Sequence, residues 1–188
     1  MQHYKPQLLK WLTAQATTID TIIHNAAQLF YEKHKSLSNF GFDLSESQKE
    51  SYYLSQNKDL CYDRITTPFV YSLWYQGRRI NSFLPYFIEA ILNAKQEPIN
   101  LFDLGAGTGA VQMVIGLLYA GLDDISGGKY ILPEIKIINV DSSPFMLQYH
   151  KQYLWQEFIK HYPKLLFKLN IIPTHGIMQR HLTPVILG

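Results

Sequence analysis

The sequence predicts an α/β fold in which an all-helical N-terminal region, residues 1–95, precedes a parallel sheet in residues 96–188. Three observations carry that expectation. Apolar residues recur at helical spacing through most of the first region. Beyond Pro98, short apolar runs alternate with amphipathic stretches, the order that builds β-α-β units. Between the first such run and the helical pattern after it lies a glycine turn, in the string Asn100-Leu-Phe-Asp-Leu-Gly-Ala-Gly-Thr-Gly-Ala110.

The elements follow in order. Residues 6–35 read as one long amphipathic helix, with Leu8, Leu9, Leu12, Ile19, Ile22, Ile23, Ala26 and Phe30 on one face. Ser36-Leu-Ser-Asn-Phe-Gly41 ends it. Ser45-Glu-Ser-Gln48 has the form of a capping box and should open a second helix. A third covers about 63–75 and a fourth about 81–94, the latter burying Phe83, Leu84, Phe87, Ile88, Ile91 and Leu92. Strands are expected at 99–104, 135–140 and 165–172, with helices at 108–121 and 143–161 between them. Gly121 to Pro133 reads as a loop, marked by Gly127-Gly128 and Pro133.

Composition narrows the class. With 188 residues, 47% of them apolar, the chain should form a globular domain with a real core. A formal charge of +2 is too mild to argue for nucleic acid. One cysteine, Cys61, excludes an internal disulfide framework and fits a reducing compartment. The N-terminus lacks the basic-then-apolar pattern of a secretory signal, and no apolar stretch is long enough to span a bilayer. A cytoplasmic protein with no membrane partner is expected. The seven histidines show no metal-ligand spacing, and His150 and His161 are expected to be exposed.

The glycine turn carries the chemistry. Gly105, Gly107 and Gly109 permit a tight turn and a close ligand approach, and a helix N-terminus follows at once. Gly105, Gly107 and Ala110 loosely satisfy a dinucleotide fingerprint. A pyrophosphate there would meet Asp103, whose carboxylate repels it. An acid suits a ligand with a cationic end instead. The segment Asp103-Leu-Gly105-Ala-Gly107-Thr-Gly109 resembles the first motif of the class I S-adenosylmethionine-dependent methyltransferases. That resemblance implies a Rossmann-like sheet, S-adenosylmethionine as cofactor, and methyl transfer to an acceptor the sequence does not identify, a small molecule ahead of RNA. It places Asp103, Gly105, Ala106, Gly107, Thr108 and Gly109 under the amino-acid end of the cofactor.

A second acid supports the resemblance. Ile135-Lys-Ile-Ile-Asn-Val-Asp141 reads as a buried strand ending in a carboxylate. A carboxylate can accept two ribose hydroxyls at once. Val140-Asp-Ser-Ser-Pro-Phe-Met146 is similar to the family's second motif, which puts Asp141 on the ribose and Ser142 and Met146 beside the adenine. A helix cap is the alternative role for Asp141, and Ser142 or Ser143 could cap instead. From Gly105 to Asp141 the chain runs 36 positions (141 − 105), against about 20 in the usual pattern. The surplus falls in the Gly121–Pro133 loop, expected on the side of the sheet away from the ligand.

Upstream, Tyr62-Asp63 resembles a pair by which the helical extension of such enzymes folds over the cofactor. The neighbouring Tyr71, Trp74 and Tyr75 equally suit plain helix packing, and Arg78-Arg79 could meet a phosphate or an acidic substrate but reads first as a solvated helix end. The helical N-terminal region and the Ser-Pro-Phe-Met segment also faintly resemble a ribosome-associated methyltransferase-like family. The family's sheet has seven strands, and only three are legible here. The first strand would then lack the fourth as its neighbour and expose an apolar edge, so self-association or missing C-terminal strands are expected. A non-catalytic module that keeps only the cofactor corner, and a nicotinamide-dependent oxidoreductase, are the alternative readings.

Overall fold

A computed structural model describes residues 2–54, 56, 60–94, 97–129, 131–167 and 169–173. Helices dominate. α1 (Lys5–Ala14) and α2 (Ala16–His34) occupy the stretch expected to be one helix. The break falls at Gln15, whose side-chain oxygen accepts a hydrogen bond from the Tyr162 hydroxyl at 2.9 Å. The interruption lets α1 pack on the helix after the glycine turn while α2 packs on the last helical stretch of the chain. α3 (Phe40–Leu54) begins five residues before the expected capping box. Ser45–Gln48 therefore lies inside a helix, and Ser47 turns inward to meet the hydroxyls of Thr66 and Thr67 at 2.8 and 3.1 Å.

The third and fourth expected helices are one continuous helical run. α4 (Thr67–Tyr71) passes through a π-helical turn (Ser72–Gln76) into α5 (Gly77–Asn93). Gly77 keeps helical angles, so the glycine beside Arg78-Arg79 is not a helix end. Pro85 sits inside α5 and removes one backbone donor there.

The sheet has strand order β1-β2-β3 among the described residues: β1 (Ile99–Leu104), β2 (Ile135–Val140) and β3 (Leu169–Pro173). All pairings are parallel, with Ile99 opposite Ile135 and Ile135 opposite Leu169. The third strand starts later than expected because Pro163–Phe167 forms a 3-10 turn. α6 (Ala110–Ser126) is longer than its expected form and runs through the first half of the supposed loop. Gly127, at φ 60°, then closes it with the left-handed cap that glycine alone adopts cheaply. The other crossover is again continuous: α7 (Pro144–Tyr149), a π-helical turn (His150–Leu154) and α8 (Trp155–His161).

α6 is the centre of the core. Met113, Val114, Leu117, Leu118, Tyr119 and Leu122 are all buried, packed against α1, α5, β2 and α8. The same apolar cluster takes Leu8 and Ile22 from the helical region and Ile137 and Phe158 from the α/β region, so the two share one core. Gly116 and Gly121 allow the closest approaches. A methyl at Gly116 would lie 2.6 Å from the Phe158 ring, and one at Gly121 would lie 2.8 Å from Leu8 and Trp11. β1 is only half covered. Ile99 and Leu101 pack on the core, whereas Phe102 and Leu104, on the other face, are 63% and 66% exposed. The short segment Pro184-Val-Ile-Leu187, which could cover part of the β1 edge, lies outside the described residues. No helix among the described residues is long and apolar enough to cross a membrane.

Candidate functional site

Parallel strands end together, so the C-terminal ends of β1 and β2 bring the two expected acids into one place. β1 delivers Asp103 and passes into the glycine turn. Gly105, Gly107 and Gly109 have φ of 73°, 55° and 74°, so each sits in the left-handed region. There an L side chain costs roughly 1–2 kcal/mol. The backbone N–H groups of Gly105 and Ala106 both donate to the Val140 carbonyl, at 2.8 and 3.0 Å, which ties the turn to the end of β2.

Asp141 follows directly. Its Oδ2 accepts from the Gly107 N–H at 2.7 Å and its Oδ1 from the Ser143 N–H at 2.8 Å. A carboxylate offers about four acceptor directions, so Asp141 keeps capacity for two further donors. It is not the cap of α7. That role belongs to Ser143, whose hydroxyl accepts from the Met146 N–H at 3.3 Å and donates to the Tyr62 carbonyl at 2.8 Å. The Ser143 hydroxyl therefore joins Tyr62 to the segment that follows Asp141. Met146 is buried with Leu60 and Tyr71, Tyr62 and Tyr75 pack against that cluster, and the Met146 methyl lies 3.5 Å from where a Gly107 Cβ would stand. Ser142 is exposed beside them. Trp74 is half exposed and takes no part in this packing cluster.

Asp103 has the least settled environment. Its Oδ2 is buried and has no hydrogen-bond partner among the described residues. Burial, and then the charge of Asp141, push its carboxyl up to about 6, against a smaller downward pull from Arg79. Arg79 is exposed, and its guanidinium lies over the Tyr71 ring at 5.8 Å. It is thus a rim residue of this site and not a helix end. Tyr71, Gln76, Arg79 and Phe83 from the helical run and Asp103 to Thr108 from the turn enclose a cavity of about 90 Å³. That volume suits an amino-acid-sized head group.

Sequence reasoning missed Gln76 and His150, whereas it names Arg79, with Arg78, as a pair that could meet an anionic group. Gln76 is fully buried and exchanges two hydrogen bonds with Thr108: its Nε2 donates to the Thr108 carbonyl at 3.2 Å, and its Oε1 accepts from the Thr108 hydroxyl at 2.5 Å. His150, expected to be exposed, is buried against Gly109; a Cβ at Gly109 would lie 2.3 Å from its ring. Burial holds His150 down to about 4, so its ring is neutral at ordinary pH. No periodicity signal marks either residue, because each belongs to a π-helical turn that breaks the 3.6-residue repeat.

A larger cleft, about 590 Å³, lies between α1, α2 and α5. Its walls are largely aliphatic, its ion pair, Lys5–Glu89, is solvent-exposed, and it has no convergence of acids and backbone donors like that at the turn. Among the described residues no group of three or more His, Cys, Asp or Glu is placed to hold a metal ion. No protein-family model, curated protein or solved structure matches the chain. The site and the fold therefore stand on their own geometry.

Proposed function

We propose that this chain binds S-adenosylmethionine at the glycine turn, as the cofactor-binding part of a class I methyltransferase with a Rossmann-like sheet. The observation that carries the reading is the buried, unpartnered carboxylate oxygen of Asp103 beside three left-handed glycines. An unpaired buried acceptor costs free energy until a donor reaches it, and a cationic donor offsets the most. S-adenosylmethionine carries an ammonium and a sulfonium; a dinucleotide would present a pyrophosphate to the same acid. The strand order, with β2 and β3 on one side of β1, supports half of a doubly wound sheet.

In this reading Asp103 takes the ammonium and Arg79 is the nearest cation for the ligand's carboxylate. The ribose hydroxyls use the two free acceptor directions of Asp141, and Met146 and Tyr62 flank the adenine. When bound, S-adenosylmethionine would supply an electrophilic methyl group for transfer to the acceptor, with S-adenosylhomocysteine as the product, while Asp103, Asp141 and Arg79 would hold it. Alignment of nucleophile and methyl supplies the rate, so a dedicated base is not required. The acceptor is a small molecule ahead of RNA, in the cytoplasm.

The uncovered face of β1 favours a second reading, a cofactor-binding module without an acceptor half. Phe102 and Leu104 are then the surface through which it self-associates. Turnover with a supplied acceptor separates the two. Calorimetry with S-adenosylmethionine, S-adenosylhomocysteine and NAD tests both. Micromolar to sub-millimolar binding of the first two is expected. Heat with NAD alone would overturn the proposal in favour of an oxidoreductase.

A further inference from the structure

The two π-helical turns among the described residues end up against adjacent residues of the glycine turn, Thr108 and Gly109. A π turn holds one more residue than the α-helix around it, and so rotates the side chains on its two sides relative to one another. In the first, Ser72–Gln76, the last residue reaches Thr108 with the paired hydrogen bonds described above, and its Nε2 also contacts the Met113 sulfur at 3.1 Å. In the second, His150–Leu154, the first residue lies under Gly109. The two helical runs are joined where the turns begin. The Ser72 hydroxyl meets the Tyr149 hydroxyl at 2.9 Å, and all four side chains, Ser72, Gln76, Tyr149 and His150, are buried.

We infer that Gln76 and His150 are positioning residues that clamp Thr108 and Gly109 from two sides and hold the glycine turn in its ligand-ready shape. Gln76 acts through polar pairing. Its amide satisfies both the carbonyl and the hydroxyl of Thr108, so no other rotamer of Thr108 is equally satisfied. His150 acts by volume, because its ring fills the space beneath the Gly109 Cα. Thr108 and Gly109 immediately precede α6, so any slack there would displace the N-terminus of that helix together with the turn. The choice of ligand rests on the cofactor reading above; the clamp itself does not.

Amide hydrogen exchange of the unliganded full chain tests the clamp without any ligand. Gln76→Leu and Thr108→Val should each speed exchange of the amides of residues 105–109 by about tenfold or more, the size expected for a lost buried pair. Exchange within α2 should stay unchanged. The double variant should be no faster than Gln76→Leu alone, since that substitution already removes both bonds to Thr108, including the hydroxyl bond lost in Thr108→Val. Thr108→Ser, which keeps the hydroxyl, should behave as the parent, and His150→Ala should loosen the same amides. In the same variants the dissociation constant for S-adenosylhomocysteine should rise about tenfold. Unchanged turn exchange in Thr108→Val, or additive effects in the double variant, would overturn the clamp. Should Gln76→Leu fail to fold, the Thr108→Val and Thr108→Ser pair decides alone. If the parent chain binds no S-adenosylhomocysteine, the cofactor reading fails while the exchange data still decide the clamp.

Discussion

Affinity for S-adenosylhomocysteine should fall as pH is lowered from 7 to 5, and Asp103 should be the cause. Its carboxyl titrates at about 6, raised by burial and by Asp141. A carboxylate with that value is about nine tenths ionised at pH 7 and about one tenth at pH 5. The ligand's amino-acid end stays a zwitterion from pH 5 to 7, its ammonium protonated and its carboxylate ionised, so neither changes across the window. If only ionised Asp103 takes the ammonium, the dissociation constant rises about tenfold, or about 1.4 kcal/mol. The unliganded fold responds in the opposite direction. Unfolding returns Asp103 to a carboxyl near 3.8, so its burial favours the fold at low pH and loses that contribution as pH rises through about 6. Asp103→Asn should therefore stabilise the unliganded protein at neutral pH, by about 1–2 kcal/mol after allowing for solvent screening. The same substitution should weaken binding and flatten its pH profile. Isothermal titration at pH 5, 6 and 7, with scanning calorimetry of both proteins, reads all three effects. A dissociation constant that does not move between pH 5 and 7, or an Asn variant that keeps the parent's slope, would refute the reasoning.

Asp141→Ala should cost binding roughly 1.5–3 kcal/mol, the range for hydrogen bonds to a charged group, and should also lower the melting temperature because the Gly107 and Ser143 amides lose their acceptor. An unchanged dissociation constant in the folded variant would leave Asp141 a purely structural tie. Gly116→Ala gains about 1 kcal/mol of helix propensity but drives a methyl to 2.6 Å from the Phe158 ring, an overpacking cost of about 1–3 kcal/mol. The net loss should be reversed by adding Phe158→Leu; denaturant melts of the double-mutant cycle check this.

Much of this architecture was legible in the sequence where a simple repeat or a forced backbone spelled it out. β1 and β2 fall at their expected positions because each is a six-residue segment with four apolar residues, bounded by turn residues. The glycine turn was legible because three left-handed positions admit almost nothing but glycine. Helix ends were less readable. The Gln15 break is made by a partner 147 positions away, Tyr162, and no local signal announces it. The Ser45 capping box was overruled because Ser47 and Ser51 are fully buried within α3. At the site, the two acids, Tyr62 and Met146 came from motif and spacing. Gln76 and His150 did not, since a π turn shifts the register that periodicity relies on. Arg79 reads first as a solvated helix end because a pair of adjacent arginines usually is one, with contact to an anionic group as the alternative.

The shared core has a consequence for the order in which the chain becomes stable during synthesis. The Trp11 indole donates to Asp124 across 113 positions, and His34 meets Tyr153 across 119. At roughly 5–20 residues per second, a ribosome needs about 6–24 s to synthesise the 113–119 positions that separate those partners. For that interval the first helices carry apolar faces with nothing to cover them, and they close long loops only when α6 and the second crossover arrive. The nascent chain is therefore most exposed to proteases and chaperones before the glycine turn and its flanking helices are made, and codon changes that slow elongation through residues 35–125 should lower the yield of folded protein more than the same changes placed after α8.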